Sequence, residues 1–529
     1  MNIRFSRCCA WIVVLSVCFP GTCALLGNES FPGEIDRKRS MGNDDQRLFR
    51  GHVKRRLMID GDVETEVLCA ERSIKDFPND LFAYEQRRHG AVFLHAFLGF
   101  YCFILIAFVC DDYLLPSINR ICKSMKISTD VAGATFLAMA SSFPEMFVNV
   151  IGTFLTETDL GVGTVVGSAV FDTFATPACG ALIAAHAIPL EWRILSRDCI
   201  VYVISVGTLV IVMWDGVITW YEATTLLALF FIYLVLLFSG KWVIRSCSGG
   251  LSGSKMKLTN FVEDTMPVGS YKQHFRNGFA ANHVETISVN VQELQKNGHT
   301  NPEYTEYAEE STKLEDEEPP ESPFTWPREN NMATKCWFAF TWPLRFLLFI
   351  TIPDTRRERF RKLYAITFLM CVVWIAVASY LVSWMMTVVG DTLGIPDSIM
   401  GITFLAAGGN VPELASIIIL AQQGDGNMAM SNTLGANILD ILLCLGLPWT
   451  IKCLITNKNV EIVSGALSYS VLSLVVCIVV LFAVIASFNF KLNKKVGIIC
   501  LLLYAIFLAV ALLVELNVFF FVNLPMCDE

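Results

Sequence analysis

The chain has 529 residues, of which 54% are hydrophobic and only 17% are charged, whereas about a quarter of the residues in soluble domains carry charge. This composition and a mean hydropathy of +0.52 indicate a membrane protein with several spanning segments. ATP-driven transport and zinc proteolysis are disfavoured, because the sequence holds neither a G-x-x-x-x-G-K-[ST] loop nor an H-E-x-x-H motif. The net charge of −9 says little, because the acidic residues concentrate in one loop.

The N-terminus has the parts of a secretory signal peptide: two arginines, an apolar run and small residues near Ala24. We expect residues 1–24 to be cleaved, and an uncleaved signal anchor is the alternative. The polar segment 25–90 then lies on the extracellular or lumenal side. The triplet that begins at Asn28 fits the glycosylation sequence expected on that side.

Apolar runs of spanning length follow in two groups of five. The first group occupies 91–242 and the second occupies 363–522. The ten predicted spans lie at 93–112, 131–156, 161–187, 198–216, 220–242, 363–388, 398–421, 428–450, 463–487 and 495–521. We therefore expect an all-α polytopic membrane protein with ten transmembrane helices.

The segment 243–362 separates the two groups of spans. Its low hydrophobicity and its run of acidic residues predict a cytoplasmic loop that is mostly disordered. A regulatory role is the alternative to a plain linker. The apolar piece 336–353 is short for a span and contains Arg345, so we interpret it as an interfacial helix.

Basic residues in the connections predict the orientation of the chain. With the N-terminus outside, the short cytoplasmic connections hold eight lysines and arginines: Arg120, Lys123, Lys126, Arg193, Arg197, Lys491, Lys494 and Lys495. The predicted outer connections "TETD", "DGVIT" and "GDTLGIPD" hold none. Lys452 and Lys458 fall outside and disagree with this pattern.

Two blocks of sequence recur at one fixed spacing. The block "GATFLAMASSFPEM" begins at Gly133 and "GITFLAAGGNVPEL" at Gly401, while "GSAVFD" begins at Gly167 and "GANILD" at Gly435; both pairs are 268 positions apart. Five spans in each half place the start of the first half outside and the start of the second half inside. The halves are therefore predicted to be inverted repeats, a construction common among secondary transporters.

Each repeat places two carboxylates in an apolar context. Glu145 is equivalent to Glu413 and Asp172 to Asp440, and no spanning Lys or Arg is close in sequence to neutralise them. The proline before each glutamate frees a backbone carbonyl, and carboxylate, carbonyl and hydroxyl oxygens are the ligands that calcium prefers. We expect the four acids to form a cation site at the midplane. The alternative is that they are protonated and only hydrogen-bond between helices.

These motifs, together with "CDDYLLPSI" at 110–118 and "GLPW" at 446–449, resemble the potassium-dependent sodium/calcium exchangers of the cation/calcium exchanger superfamily. The resemblance runs from about residue 91 to the C-terminus, except for the loop. It implies a ten-helix antiporter, without enzymatic activity or a cofactor, that exports calcium against sodium entry and carries potassium with the calcium.

The resemblance also implies roles for single residues. Glu145 and Glu413 would be the central calcium and sodium ligands, Asp440 would carry the potassium dependence, and Ser141 would offer its carbonyl. The other candidate ligands are Asp172, Ser142, Ser168, Asn410 and Asn437.

The sequence departs from the family's usual pattern at four positions. Gly409, Asn410 and Ala436 stand where the family usually has hydroxyl-bearing residues, and Asp172 stands where it usually has asparagine. Crowded carboxylates cannot all ionise easily. Asp172 is therefore a candidate for adding a proton to the transport cycle or for changing the coupled ions.

Three functions compete. Antiport of calcium against sodium is favoured, a proton-coupled or other divalent-cation antiporter on the same fold is the alternative, and a channel or a scaffold is the third. The expected partners are inorganic cations and the lipid bilayer, without nucleic acid, and a homodimer is compatible with the sequence. We expect a multi-pass protein of the plasma membrane, with the Golgi or an endolysosomal membrane as alternatives.

Overall fold

The structure is a computed structural model that describes residues 54–59, 63–68, 73–124, 139, 142–156, 158–184, 186–247, 332–423, 426–462 and 464–519. The predicted signal peptide, the triplet at Asn28, most of the acidic loop and Ser141 lie outside the described residues.

The first half begins with an antiparallel hairpin, β1 (Lys54–Ile59) and β2 (Val63–Leu68). Five helical units follow, with one short strand before each of the last two. The units are α1 (Tyr84–Cys122), α2 (Phe143–Phe154), α3 (Leu160–Ile183), β3 (Ile188–Pro189), α4 (Trp192–Met213), β4 (Val217–Ile218) and α5 (Trp220–Cys247).

The second half follows a separate helix, α6 (Met332–Thr351). Its elements are α7 (Tyr364–Leu393), α8 (397–409), α9 (Val411–Gln423), α10 (426–456), β5 (Val460–Glu461), α11 (Gly465–Ser487), β6 (Lys491–Leu492) and α12 (Lys494–Glu515). The predicted span 398–421 is therefore divided into α8 and α9, and the division lies at Asn410.

Seven helices in the described part of the chain are long and apolar enough to cross a membrane: α1, α3, α4, α7, α10, α11 and α12. The helical, polytopic fold class is confirmed, and the number of ten spans stays a prediction. Helix α1 extends beyond the predicted span 93–112 at both ends, and its backbone is kinked at Gly90, where φ is 128°, next to the predicted domain boundary at residue 91. Helix α5 continues to Cys247, beyond the predicted boundary at 242.

The short strands support the inverted relation of the halves. Strand β3, between α3 and α4, pairs with β6, between α11 and α12, while β4, between α4 and α5, pairs with β5, between α10 and α11. By the repeat spacing, α4 corresponds to α11 and α5 to α12. The connection before a helix in one half therefore meets the connection after its equivalent in the other half. Because successive connections of a helical bundle lie at opposite ends, this pairing requires inverted halves.

Equivalent helices of the two halves pack against each other. Gly99 of α1 leaves room for Met386 of α7, and Ser468 of α11 donates a hydrogen bond of 3.1 Å to the carbonyl of Met213 in α4. The apolar side chains form two separate clusters. One is built mainly from α1, α6, α7 and α8, and the other mainly from α3, α4 and α9 to α12.

Helix α6 covers the segment 336–353, whose interfacial position stays a prediction. It lies lengthwise along α1, because the Phe340 ring packs 5.3 Å from the Tyr101 ring and the Arg345 guanidinium lies 4.9 Å from the centre of the Phe108 ring. Leu344 is buried in the cluster that α1 and α7 share. The aromatic faces offset the cost of placing Arg345 among apolar side chains.

Residues 73–95 fold back over the ends of α7 and α8. Phe77 is buried with its ring 5.7 Å from that of Tyr380, and Arg87 lies 3.4 Å from a carboxylate oxygen of Asp391. Ser73 donates a hydrogen bond to Asp397. The segment 73–95, which includes the first residues of α1, is therefore attached to the second half by apolar and by charged contacts.

Candidate cation site

The two glutamates lie in the first turns of α2 and α9. Ser142 and Asn410 precede these helices in non-helical conformations, and Pro144 and Pro412 occupy the first turns. A proline is well placed there because the first turn has no partner for its missing N–H. The positive end of the helix dipole also lies beside the carboxylate. Each proline therefore stands at the beginning of a helix.

The two aspartates lie in π-helical turns. Asp172 falls in the turn Phe171–Ala175 of α3, and Asp440 begins the turn Asp440–Leu445 of α10. A π turn inserts one residue into the helical ladder and is frequent at functional sites. The sequence analysis did not predict these turns.

All four acids are buried, although no neighbouring base neutralises them. The exposed fraction is 3% for Glu145, 8% for Glu413, 1% for Asp172 and 5% for Asp440. None of them forms an ion pair with Lys or Arg within the described residues. Buried carboxylates of this kind are costly unless a cation or a proton balances their charge.

The helices that carry the acids pack across the two halves. Asn149 of α2 donates a hydrogen bond of 2.7 Å to the carbonyl of Cys444 in α10. Helix α9 packs closely on Gly180 of α3. Each glutamate helix therefore lies against the aspartate helix of the other half.

Each aspartate has a donor four residues further along its helix. The hydroxyl of Thr176 donates to Oδ1 of Asp172 at 2.9 Å, and the thiol of Cys444 donates to Oδ1 of Asp440 at 3.6 Å. Thr176 and Cys444 are again 268 positions apart. The sequence analysis missed both donors, although their i, i+4 spacing puts them on the same helix face as the acids.

Polar atoms of the predicted ligands lack partners. Six of these side chains are buried, and each has at least one nitrogen or oxygen atom that forms no hydrogen bond with any other described residue. They are Ser142, Glu145, Ser168, Asp172, Asn410 and Asn437. Buried polar groups are nearly always satisfied, so this concentration of unsatisfied atoms indicates a place that water or a cation occupies.

Gly409 gives the Glu145 carboxylate room. A Cβ atom at Gly409 would lie 2.8 Å from Oε1 of Glu145. Gly409 is one of the four positions that depart from the family's usual pattern. Because it has no side chain, the Glu145 carboxylate can occupy this position. Asp111, in the π turn Val109–Leu114 of α1, adds a further charge that acts on Glu413; the sequence analysis assigned it no role.

The acids are neighbours without being a compact metal centre. Across the described ranges, no group of three or more His, Cys, Asp or Glu side chains is arranged tightly enough to hold a metal ion. Hydroxyl, amide and carbonyl oxygens must therefore complete any cation shell in this conformation.

Three comparisons with known proteins bear on the chain. The model of the family described as "Sodium/calcium exchanger protein" matches residues 95–239 and 363–513. Sodium/potassium/calcium exchanger 4 of Mus musculus is 35% identical over 551 residues, covering 87% of this chain and 88% of its own length. Sodium/potassium/calcium exchanger 5 of Homo sapiens is 32% identical over 466 residues, covering 85% and 89%.

A solved structure of the sodium-calcium exchanger NCX_Mj aligns with 79% of this chain and 98% of its own, at 18% sequence identity and a TM-score of 0.41. This likeness is too distant to support a detailed statement about the site.

Proposed function

Because the chain belongs to the sodium/calcium exchanger protein family, we propose that it is a secondary active antiporter that exchanges sodium for calcium across a membrane. The relatives' names include potassium, and we extend the proposal to potassium carried together with calcium. The resemblance found in the sequence is thereby confirmed at the level of the family.

The observation that carries the proposal is the burial of four carboxylates from two inverted halves, on helices that pack across the halves. None of the four forms an ion pair with a lysine or an arginine among the described residues. Negative charges that are buried in one region of low dielectric repel one another strongly. A calcium ion or several sodium ions would neutralise this charge, and both would use the same oxygen ligands.

This shared charge couples the two fluxes. An empty site keeps its uncompensated carboxylates, so closing it off from water on both sides, as a change of access requires, is costly. A site loaded with either ion is close to neutral and changes its exposure more easily. Calcium therefore leaves only when sodium takes its place.

The two hydrophobic clusters fit a change of access. Helices α1, α6 and α7 share one cluster, while α4, α11 and α12 belong to the other. We infer that the α1–α7 group moves against the remaining helices around a site that stays in place, as in other transporters built from inverted repeats.

We propose Glu145 and Glu413 as the ligands common to calcium and sodium, and Asp440 as the acid that supports potassium. Side-chain oxygens of Ser142, Ser168, Asn410 and Asn437 would complete the cation shells; six of the predicted ligands hold buried polar atoms without partners. Ser141 would contribute its carbonyl.

The test is calcium uptake into sodium-loaded vesicles, with and without potassium, for the unchanged protein, Glu145→Gln and Glu191→Gln. Glu191 is exposed and immediately precedes α4, which carries none of the four acids, so its variant is the control for the chemical change. Uptake that requires internal sodium and is lost only in Glu145→Gln supports the proposal. Equal uptake without internal sodium contradicts it.

Asp172 favours a second candidate, a proton-coupled or other divalent-cation antiporter. Its Oδ2 is buried without a hydrogen-bond partner in the described structure while Thr176 binds Oδ1, so this carboxylate has one oxygen free for a proton. Uptake driven by a pH gradient in the absence of sodium would favour this candidate.

We propose that the protein resides in the plasma membrane, and surface labelling of intact cells tests that location.

A further inference from the structure

The two equivalent donors beside the aspartates differ in chemistry. Thr176 offers Asp172 a hydroxyl at 2.9 Å, whereas Cys444 offers Asp440 a thiol at 3.6 Å. A thiol is a weak hydrogen-bond donor and a soft metal ligand. The second half of the site therefore carries a sulfur atom where the first half carries an oxygen.

Cys444 has a second oxygen neighbour, the carbonyl of Ser142 at 3.4 Å. The Ser142 hydroxyl is itself buried, lies near Asp440 and has no hydrogen bond of good geometry. Sulfur and oxygen ligands of one ion lie about 3.5 Å apart, given bond lengths of about 2.0–2.3 Å. The distances from the sulfur to both oxygens are those of S–H···O hydrogen bonds, and they are also short enough for the sulfur and these oxygens to bind one cation.

We propose that Cys444 is a selectivity residue that allows this site to accept thiophilic divalent cations, for which Cd2+ is the probe. The proposal rests on the function proposed above, because it places the ion on the calcium pathway. The ligands would be the Cys444 sulfur, Oδ1 of Asp440 and the Ser142 carbonyl, with the Ser142 hydroxyl available beside them.

Binding of the cation to Cys444 needs no reactant other than the cation and water. The S–H bond of Cys444 breaks as the sulfur–cation bond forms, and one proton is released to water. Calcium prefers oxygen ligands and gains little from the sulfur. The thiol therefore changes the ranking of cations more than it changes the affinity for calcium.

The experiment compares inhibition of sodium-dependent calcium uptake by Cd2+ in the unchanged protein, Cys444→Ser and Cys500→Ser. Serine keeps a donor to Asp440 and removes the sulfur. Cys500 is fully buried in α12 and serves as the control thiol. We expect the ratio of the Cd2+ inhibition constant to the calcium half-saturation concentration to rise about tenfold in Cys444→Ser, equivalent to about 1.4 kcal/mol, and to stay unchanged in Cys500→Ser.

Thr176→Cys adds a thiol at the equivalent position and should lower that ratio. The purified protein supplies a readout that does not need transport, because a cadmium–thiolate bond absorbs in the ultraviolet. Absorption that appears with Cd2+ in the unchanged protein and not in Cys444→Ser supports the site even if sodium-dependent uptake is missing. An unchanged ratio together with unchanged absorption in Cys444→Ser overturns the proposal while leaving the exchanger function intact.

Discussion

Oε1 of Glu145 lies 2.8 Å from the position that a Cβ atom on Gly409 would occupy. A carboxylate from the first half thus enters a space that the second half leaves open by having glycine. The position of Glu145, a proposed calcium ligand, therefore depends on the absence of a side chain at Gly409 in the other half.

We expect Gly409→Ala to weaken the apparent affinity for calcium by about five- to tenfold with little effect on stability. The new methyl group meets only the flexible end of Glu145, so the carboxylate turns away while the backbone stays in place. The concentration dependence of calcium uptake measures the effect.

Gly207→Ala is the matched control, because a Cβ there meets no atom within 4 Å. If Gly409→Ala and the unchanged protein have the same affinity for calcium, the close approach of Glu145 to Gly409 does not affect calcium binding.

Asp172→Asn should make exchange more dependent on potassium and less dependent on pH. The amide carbonyl keeps an acceptor for Thr176, whose bond to the carboxylate measures 2.9 Å, while one negative charge disappears. With one carboxylate fewer, fewer protons or sodium ions are needed to neutralise the site. We expect potassium to stimulate uptake at least about twofold more than in the unchanged protein, measured between about pH 6 and 8.

Thr176→Val is the companion variant, since it keeps the Asp172 charge and removes only its donor. If Asp172→Asn and the unchanged protein respond identically to potassium and to pH, the extra carboxylate plays no part in ion coupling.

Lys452→Met should lower the free energy of unfolding by about 2 kcal/mol. Lys452 is buried near the end of α10 and donates a hydrogen bond of 2.7 Å to the carbonyl of Thr153. This contact explains why the lysine disagrees with the charge pattern of the outer connections. Thermal unfolding of the purified protein should begin a few degrees lower.

Lys458 is exposed and lies six positions further along, so Lys458→Met tests the loss of a surface charge alone. Equal melting temperatures for the two variants would rule out a structural role for the buried lysine.

Attachment of the N-terminal segment should depend on pH through Asp397, which lies outside the candidate spans. Burial raises the pKa of Asp397 to about 6, the hydrogen bond from Ser73 opposes this rise, and Asp391 and Asp76 add to it. Because the folded protein holds the proton more tightly than the unfolded chain, stability falls as the pH rises from about 4 to 6 and then stays level.

Asp397→Asn should therefore be more stable than the unchanged protein above pH 6, by roughly 1–2 kcal/mol after allowance for solvent screening. The two proteins should converge near pH 4. Melting curves at several pH values measure the difference, and a constant difference across this range would contradict the assignment to Asp397.

The repeat made much of the fold predictable. The repeated blocks divided the chain into two halves, five predicted spans in each half required them to be inverted, and the strand pairs β3–β6 and β4–β5 agree with that arrangement. Burial of the four acids was also expected, since their flanking residues are apolar. These features follow from sequence periodicity and from the cost of burying charge.

Other features depend on contacts that a sequence pattern does not contain. A π turn at Asp172 or Asp440 changes the helical period over only one turn, so hydrophobic spacing does not reveal it. Cys444 resembles the other cysteines in apolar runs until its distance to Asp440 is known. The position of α6 depends on contacts such as that of Arg345 with the Phe108 ring, which is more than 200 residues away in the sequence.

The cross-pairing of the glutamate and aspartate helices also has a consequence for biosynthesis. During translation, Glu145 and Asp172 enter the membrane before the helices that carry Glu413 and Asp440 exist. The first half must therefore wait, with its polar groups incompletely paired, until the ribosome has completed α9 and α10. Two separately expressed halves should accordingly be inactive alone and should recover calcium uptake when they are produced together in one membrane.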